Sequence, residues 1–132
     1  MSLESPLGKF LGHGSAKSGT EHWLSQRVSA VALVPLAIWF VVALLGMGSF
    51  AHADVVAWMS QPLHAILLIL LVVTLLYHSQ LGVQVVVEDY VRTGWLNVLT
   101  LMVAKFAHVV AGVACIYSIV ILSVGTVPGT AQ

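Results

Sequence analysis

Residues 63–87 read LHAILLILLVVTLLYHSQLGVQVVV, twenty-five positions without one charged side chain. From Ala65 to Tyr77 the run is apolar except for Thr74. Coiled as a helix, the segment extends about 37 Å at 1.5 Å per residue, enough to cross a hydrocarbon layer about 30 Å thick. Pro62, just before it, suits a first helical position, where its missing N–H leaves no bond unmade. This one stretch places the chain in a membrane.

Two flanking blocks read the same way. Val28 to Met47 is uncharged, with Pro35 inside it and Gly46 and Gly48 at its end. A proline there is tolerable in a membrane helix. Val98 to Val124 is apolar apart from Lys105 and His108, both unusual at membrane depth. The expected fold is therefore all-α, with three transmembrane helices at about 28–47, 63–87 and 98–124. Ser49 to Gln61 reads as a loop carrying His52, Asp54 and Trp58. Glu88 to Asn97 reads as a short polar turn holding Asp89, Tyr90, Arg92 and Trp95. Residues 1–25 read as a Gly- and Ser-rich polar tail, in which Thr20, Glu21 and Trp23 suit a helix end at the interface. Residues 126–132 form a short uncharged tail.

Composition agrees. Of 132 residues, 59% are hydrophobic and 8% charged, against about 25% charged in soluble domains; the mean hydropathy is +1.00. The formal net charge of zero gives no footing for nucleic acid. Cys115 is the single cysteine, so no intrachain disulfide forms. Six histidines and several charges in so short a chain need partners elsewhere, which points to a subunit of a larger assembly.

Orientation follows from the basic residues. Lys9, Lys17 and Arg27 precede the first span, Arg92 lies in the second connection, and Lys105 is about two turns into the third helix. With three spans all five fall on one side, so the N-terminus is expected in the cytoplasm and the C-terminus in the periplasm. Ala51-His52-Ala53 resembles a signal-peptidase site, but the preceding apolar stretch exceeds the 7–15 residues of a signal core. It is expected to be retained as a span.

The candidate chemistry centres on Tyr77-His78-Ser79-Gln80-Leu81-Gly82 and on Glu88-Asp89-Tyr90. His78 lies about 15 Å from the near end of its span, where a polar side chain needs a partner. Neutral imidazole is a haem-iron ligand. Gly82 falls one turn on along the same face, open to a flat macrocycle or to another helix, and Asp89 returns to that face at about 20°. The alternative is an interhelical hydrogen bond from His78 with Gly82 as a small packing residue. His64 sits nearly in line with His78 about 21 Å away, a spacing that suits two haems on one helix, although an interfacial histidine next to Pro62 is ordinary. His108 lies at about the depth of His78 and is a second candidate haem contact or ligand. Lys105 reads as snorkelling, and Arg27 as a topology charge or a partner for a propionate or a quinone headgroup. Tyr90 suits a quinone carbonyl or an interfacial anchor.

The pattern His78-x3-Gly82-x6-Asp89-Tyr90 resembles the signature of the hydrophobic membrane anchor subunits of succinate dehydrogenase. Gly14-Ser15-Ala16-Lys17, Gly19-Thr20, His22-Trp23, Gln26-Arg27 and the run Ala30 to Leu36 resemble the alphaproteobacterial branch of that family. The resemblance implies a complex of four subunits in the bacterial inner membrane. A flavoprotein subunit with FAD oxidises succinate, and an iron–sulfur subunit passes electrons on. Two anchors, this one and a cytochrome b subunit, share one haem b and form the site where ubiquinone is reduced. It further implies His78 as this subunit's axial ligand to the haem iron, Arg27 near the propionates and quinone pocket, Tyr90 at a quinone carbonyl, and Asp89 as the neighbouring acid or proton relay. It assigns nothing to His108 or Lys105. Other readings remain open: a haem-free structural anchor, a di-haem electron carrier using His64 and His78, and a transporter subunit with Lys105, His108 and Asp89 as a proton path.

Overall fold

The computed structural model describes residues 16–124, all helices and short connections. The helices are α1 (Ala16–Leu45), α2 (His52–Met59), α3 (Pro62–Tyr90) and α4 (Gly94–Val124). The three long ones are long and apolar enough to cross a membrane. Residues 1–15 and the tail at 126–132 lie outside the described residues.

The helices outrun the apolar blocks that mark them. α1 begins at Ala16 rather than near Val28. Hydrophobicity marks the depth of the hydrocarbon, whereas the backbone ladder continues into polar sequence until something breaks it. Between Ala16 and Arg27 there is no proline. The loop expected at Ser49–Gln61 also contains α2. Its Val56 is buried and its Trp58 packs on the apolar core, so part of the connection folds back onto the bundle.

Local chemistry sets the ends of α3. Pro62 occupies its first turn, and Gln61 before it is extended with no side-chain cap, as expected where a proline removes one of the orphan donors. At the far end the Val91 N–H donates to the Val87 carbonyl at 2.9 Å. The Asn97 side-chain amide reaches back from α4 and donates to the Val87 and Val91 carbonyls, each at 3.1 Å. The Val87 carbonyl thus accepts twice, and the Val91 carbonyl, past the helix end, gains a donor. Asn97 therefore fixes the tight turn that sets α4 against α3.

α3 is the middle helix. α1 and α4 each pack along it, but no Cα of α1 comes within 8 Å of one in α4. At the end carrying α2, Ala65, Leu68 and Ile119 form a small buried cluster, flanked by Trp39, Phe40, Trp58 and Met59. Towards the other end Ser29, Leu81 and Val87 are buried. Most large apolar side chains face outward; Leu45 is 81% exposed and Val31 and Phe106 are each 72% exposed. In a membrane such faces meet lipid tails or other subunits.

Gly112 marks a close approach of α4 to α3, since a Cβ there would lie 3.2 Å from Leu76 Cδ1. Gly112→Leu is expected to force the two helices apart and destabilise the detergent-purified protein by about 1–3 kcal/mol. Gly112→Ala should be absorbed by rotation of the Leu76 side chain. Thermal unfolding checks this, and equal melting of Gly112→Leu and the parent protein would contradict close packing at this point.

Candidate functional site

Tyr77, His78 and Ser79 are consecutive in α3, so each is turned about 100° from the last and meets a different neighbour. His78 turns to α1. There His22, Gln26 and Ser29 lie at i, i+4 and i+7, one face of the helix. The Ser29 hydroxyl is 3.0 Å from His78 Nδ1 and donates to the Gln26 backbone carbonyl, also at 3.0 Å. The Gln26 side-chain nitrogen is 3.5 Å from His78 Nε2, longer than the usual 2.7–3.2 Å of an N–H donor. Ser29 is 5% exposed. Gly82, one turn further along α3, leaves the Gln26 amide its room, for a Cβ there would stand 3.8 Å from Gln26 Nε2. Two atoms of this cluster, His22 Nε2 and Gln26 Oε1, are buried without a hydrogen-bond partner. Each such atom costs about 1–3 kcal/mol while unpaired.

Ser79 turns the other way, to α4. His108 Nε2 lies 3.3 Å from Ser79 Oγ, and His108 Nδ1–H donates to the Ala104 carbonyl at 2.7 Å. A groove of about 420 Å³ runs between α3 and α4 past Tyr77, Gln80, Lys105 and His108. A second, of about 450 Å³, runs between α1 and α3 past Ser25, Ser29, Thr74 and Tyr77. Tyr77 borders both. His78 and His108 thus engage opposite neighbours of α3 and are not brought together.

His64 belongs to the end carrying α2. Its Nδ1–H donates to the Trp58 carbonyl at 2.9 Å. Its ring stacks on the Trp58 indole at 4.4 Å between centroids, and Trp58 in turn stacks on Trp39 at 6.1 Å. This ties α2 to α3 and to α1.

At the opposite end, Tyr90 is the last residue of α3 and is 82% exposed. Asp89 beside it is also exposed. The Arg27 guanidinium lies over the Trp23 ring, 5.1 Å from its centroid. No hydrogen bond or ion pair among the described residues joins Arg27, Asp89 and Tyr90. Because Gln26 stands beside His78 and Gly82, Arg27 lies at that level. Tyr90 is about 12 Å further along α3 at 1.5 Å per residue.

His78 and Gly82 stand out in the sequence, whereas Ser29 does not, and Gln26 has no role of its own there. The signal is nonetheless present: His22, Gln26 and Ser29 form a polar stripe at helical spacing where α1 enters its apolar block. Among the described residues no three His, Cys, Asp or Glu side chains converge as a metal site would require, so the chain offers imidazoles singly.

Residues 1–121 match the family model described as succinate dehydrogenase/fumarate reductase transmembrane subunit. The succinate dehydrogenase hydrophobic membrane anchor subunit of Rickettsia bellii is 36% identical over 107 residues, covering 80% of this chain and 85% of its own. That of Rickettsia conorii is 34% identical over 109 residues, 81% and 86% of the two chains. That of Paracoccus denitrificans is 26% identical over 116 residues, 88% and 89%. With three helices able to span a membrane and a match over nearly its whole length, the chain belongs to the succinate dehydrogenase/fumarate reductase transmembrane subunit family, as a multi-pass hydrophobic membrane anchor subunit.

Proposed function

We propose that this anchor holds a succinate:ubiquinone oxidoreductase in the bacterial inner membrane, contributes His78 to a shared haem b, and forms part of the ubiquinone reduction site. Its partners on this reading are a second, cytochrome b-type anchor, an iron–sulfur subunit and a flavoprotein subunit, with FAD and the iron–sulfur clusters confined to the latter two. The basic residues support a cytoplasmic N-terminus and periplasmic C-terminus, which puts Asp89, Tyr90 and Arg27 towards the cytoplasmic face.

One observation carries the haem assignment. His78 is an intramembrane imidazole held firmly at one nitrogen, by Ser29 at 3.0 Å, and only loosely at the other, by Gln26 at 3.5 Å. The surroundings fit the group. Gly82 presents no side chain there, only the Gln26 amide standing near it, and the unpartnered Gln26 Oε1 adds polar capacity close to the ring. Arg27, whose guanidinium lies over Trp23, is a partner for a propionate or for the quinone pocket. His108, on α4 and held to Ser79 on the far side of α3, keeps only the role of an outer contact, and the second histidine ligand is expected from the partner anchor. Bound there, haem b supplies a one-electron store in a dry setting.

The quinone assignment rests on the helix end. Reduction of ubiquinone takes up two electrons and two protons, so the site needs hydrogen-bond donors at the carbonyl oxygens and a route from water. Tyr90 offers a phenol O–H at the end of α3, fixed by the Asn97 clasp. Asp89 beside it is an exposed carboxyl able to take a proton from water and pass it on. Fixed donors aimed at oxygens that gain charge are what stabilise such a reaction in a low dielectric.

The Gln26 contact to His78 Nε2 favours a second reading, a haem-free anchor in which His78 only clasps α1 to α3. A reduced-minus-oxidised spectrum with a haem assay separates the two. The expected result is one b-type haem per complex, lost or spectrally altered in His78→Ala while the complex still assembles; no haem, or an unchanged spectrum in the variant, leaves the clasp alone. Tyr90→Phe is expected to keep assembly and haem but to lower succinate:quinone turnover by about tenfold, the worth of one hydrogen bond at the reacting oxygen. Unimpaired turnover in that variant would remove Tyr90 from the quinone site.

A further inference from the structure

We infer that Ser29 is the positioning residue for His78: it fixes the ring in the Nδ1–H form and so keeps the lone pair on Nε2, with Gln26 covering that nitrogen until a stronger partner arrives. The inference rests on the proposed role of His78 as an iron ligand.

Proton counting fixes the direction of each bond. A backbone carbonyl can only accept, so the single hydroxyl hydrogen of Ser29 goes to the Gln26 carbonyl at 3.0 Å. The same oxygen is 3.0 Å from His78 Nδ1. Having given its hydrogen away, it accepts there, and the hydrogen in that contact belongs to the imidazole. A neutral ring protonated at Nδ1 carries its lone pair on Nε2. The other contact agrees: the atom facing Nε2 is an amide nitrogen at 3.5 Å, which donates and cannot accept. The Ser29 contact therefore specifies the tautomer, and the amide nitrogen facing Nε2 is compatible with it.

The two contacts differ in permanence. Ser29 is 5% exposed, its side chain is short, and its hydroxyl is tethered to its own helix one turn back. Gln26 has a long side chain, a long contact to the ring, and an Oε1 with no partner; Gly82 offers no Cβ to hold it in place. The amide gives up little on leaving Nε2. A metal-bound histidine commonly donates its other N–H to an oxygen, which sets the ring plane and raises the basicity of the ligating nitrogen. Ser29 meets that requirement before any ligand is present.

The test uses the full membrane complex with 15N-labelled histidine, as wild type, Ser29→Ala and Ser29→Thr, with the His78 signal assigned by its loss in His78→Ala. Solid-state NMR reads the tautomer, and optical titration reads haem content and midpoint potential. The expected wild-type ring is Nδ1–H. Ser29→Ala should populate Nε2–H in haem-free material, weaken haem retention by about 10- to 100-fold and raise the potential, because a less basic imidazole stabilises the oxidised iron less. Ser29→Thr, which keeps the hydroxyl, should restore these values. A wild-type ring in the Nε2–H form overturns the inference, as does Ser29→Ala with unchanged tautomer, retention and potential. If the wild-type complex holds no haem, the haem assignment falls, and the tautomer shift between wild type and Ser29→Ala alone decides the role of Ser29. Should Ser29→Ala fail to assemble, the ring of wild-type complex stripped of haem decides it instead: Nδ1–H supports the inference and Nε2–H overturns it.

Discussion

A polar side chain in a hydrocarbon layer finds its hydrogen bond within the protein or goes without. That constraint organises this molecule more than its small apolar core does. His78 goes to Ser29 and Gln26 on α1, and His108 to Ser79 on α3. His64 goes to the Trp58 carbonyl, and Asn97 to the carbonyls that end α3. Each contact joins two elements, and each lies where Leu against Leu would give no direction. Apolar packing in a membrane holds helices together with little preference for how they are turned. The polar pairs set the rotation of α3 between its neighbours.

Much of the architecture was legible in the sequence because the bilayer reads hydropathy directly. Three long apolar blocks, two of them without a charge, give three spans. The helix ends were less legible, since a ladder of backbone hydrogen bonds runs past the apolar block wherever no proline or turn stops it, as at Ala16–Arg27 in α1. The helix at His52–Met59 was hidden for a related reason: Val55, Val56 and Met59 are too few to announce a helix, and it is the bundle they pack on that makes one.

The candidate site divides in the same way. His78 stood out as a histidine deep in an apolar span, and Gly82 as an opening on its face. Ser29 did not, because a serine near the end of a span is unremarkable until the facing helix is known. Helical spacing puts His22, Gln26 and Ser29 on one face; only the register of α1 against α3 decides which histidine that face meets. The level of Arg27 is the same kind of fact. By sequence it shares a membrane side with Tyr90, and the register puts its backbone next to Gln26, which meets His78, while its guanidinium turns back over Trp23.

The middle position of α3 has a consequence for any group bound at His78. With α1 on one side and α4 on the other, consecutive residues serve different walls: His78 faces α1, Ser79 faces α4, and Tyr77 borders the grooves on both sides. The described helices set His78 and His108 on opposite sides of α3, with α3 itself between them. On the proposed reading, an iron held at His78 would not have His108 beside it, which leaves that place to a histidine of the partner anchor. The broad apolar faces left outward, Val31 on α1 and Phe106 on α4 among them, are the kind of surface on which a second set of membrane helices can pack. On the proposed reading, sharing one haem between two anchors fits a layer in which α3 has both neighbours and His78 and His108 engage opposite ones.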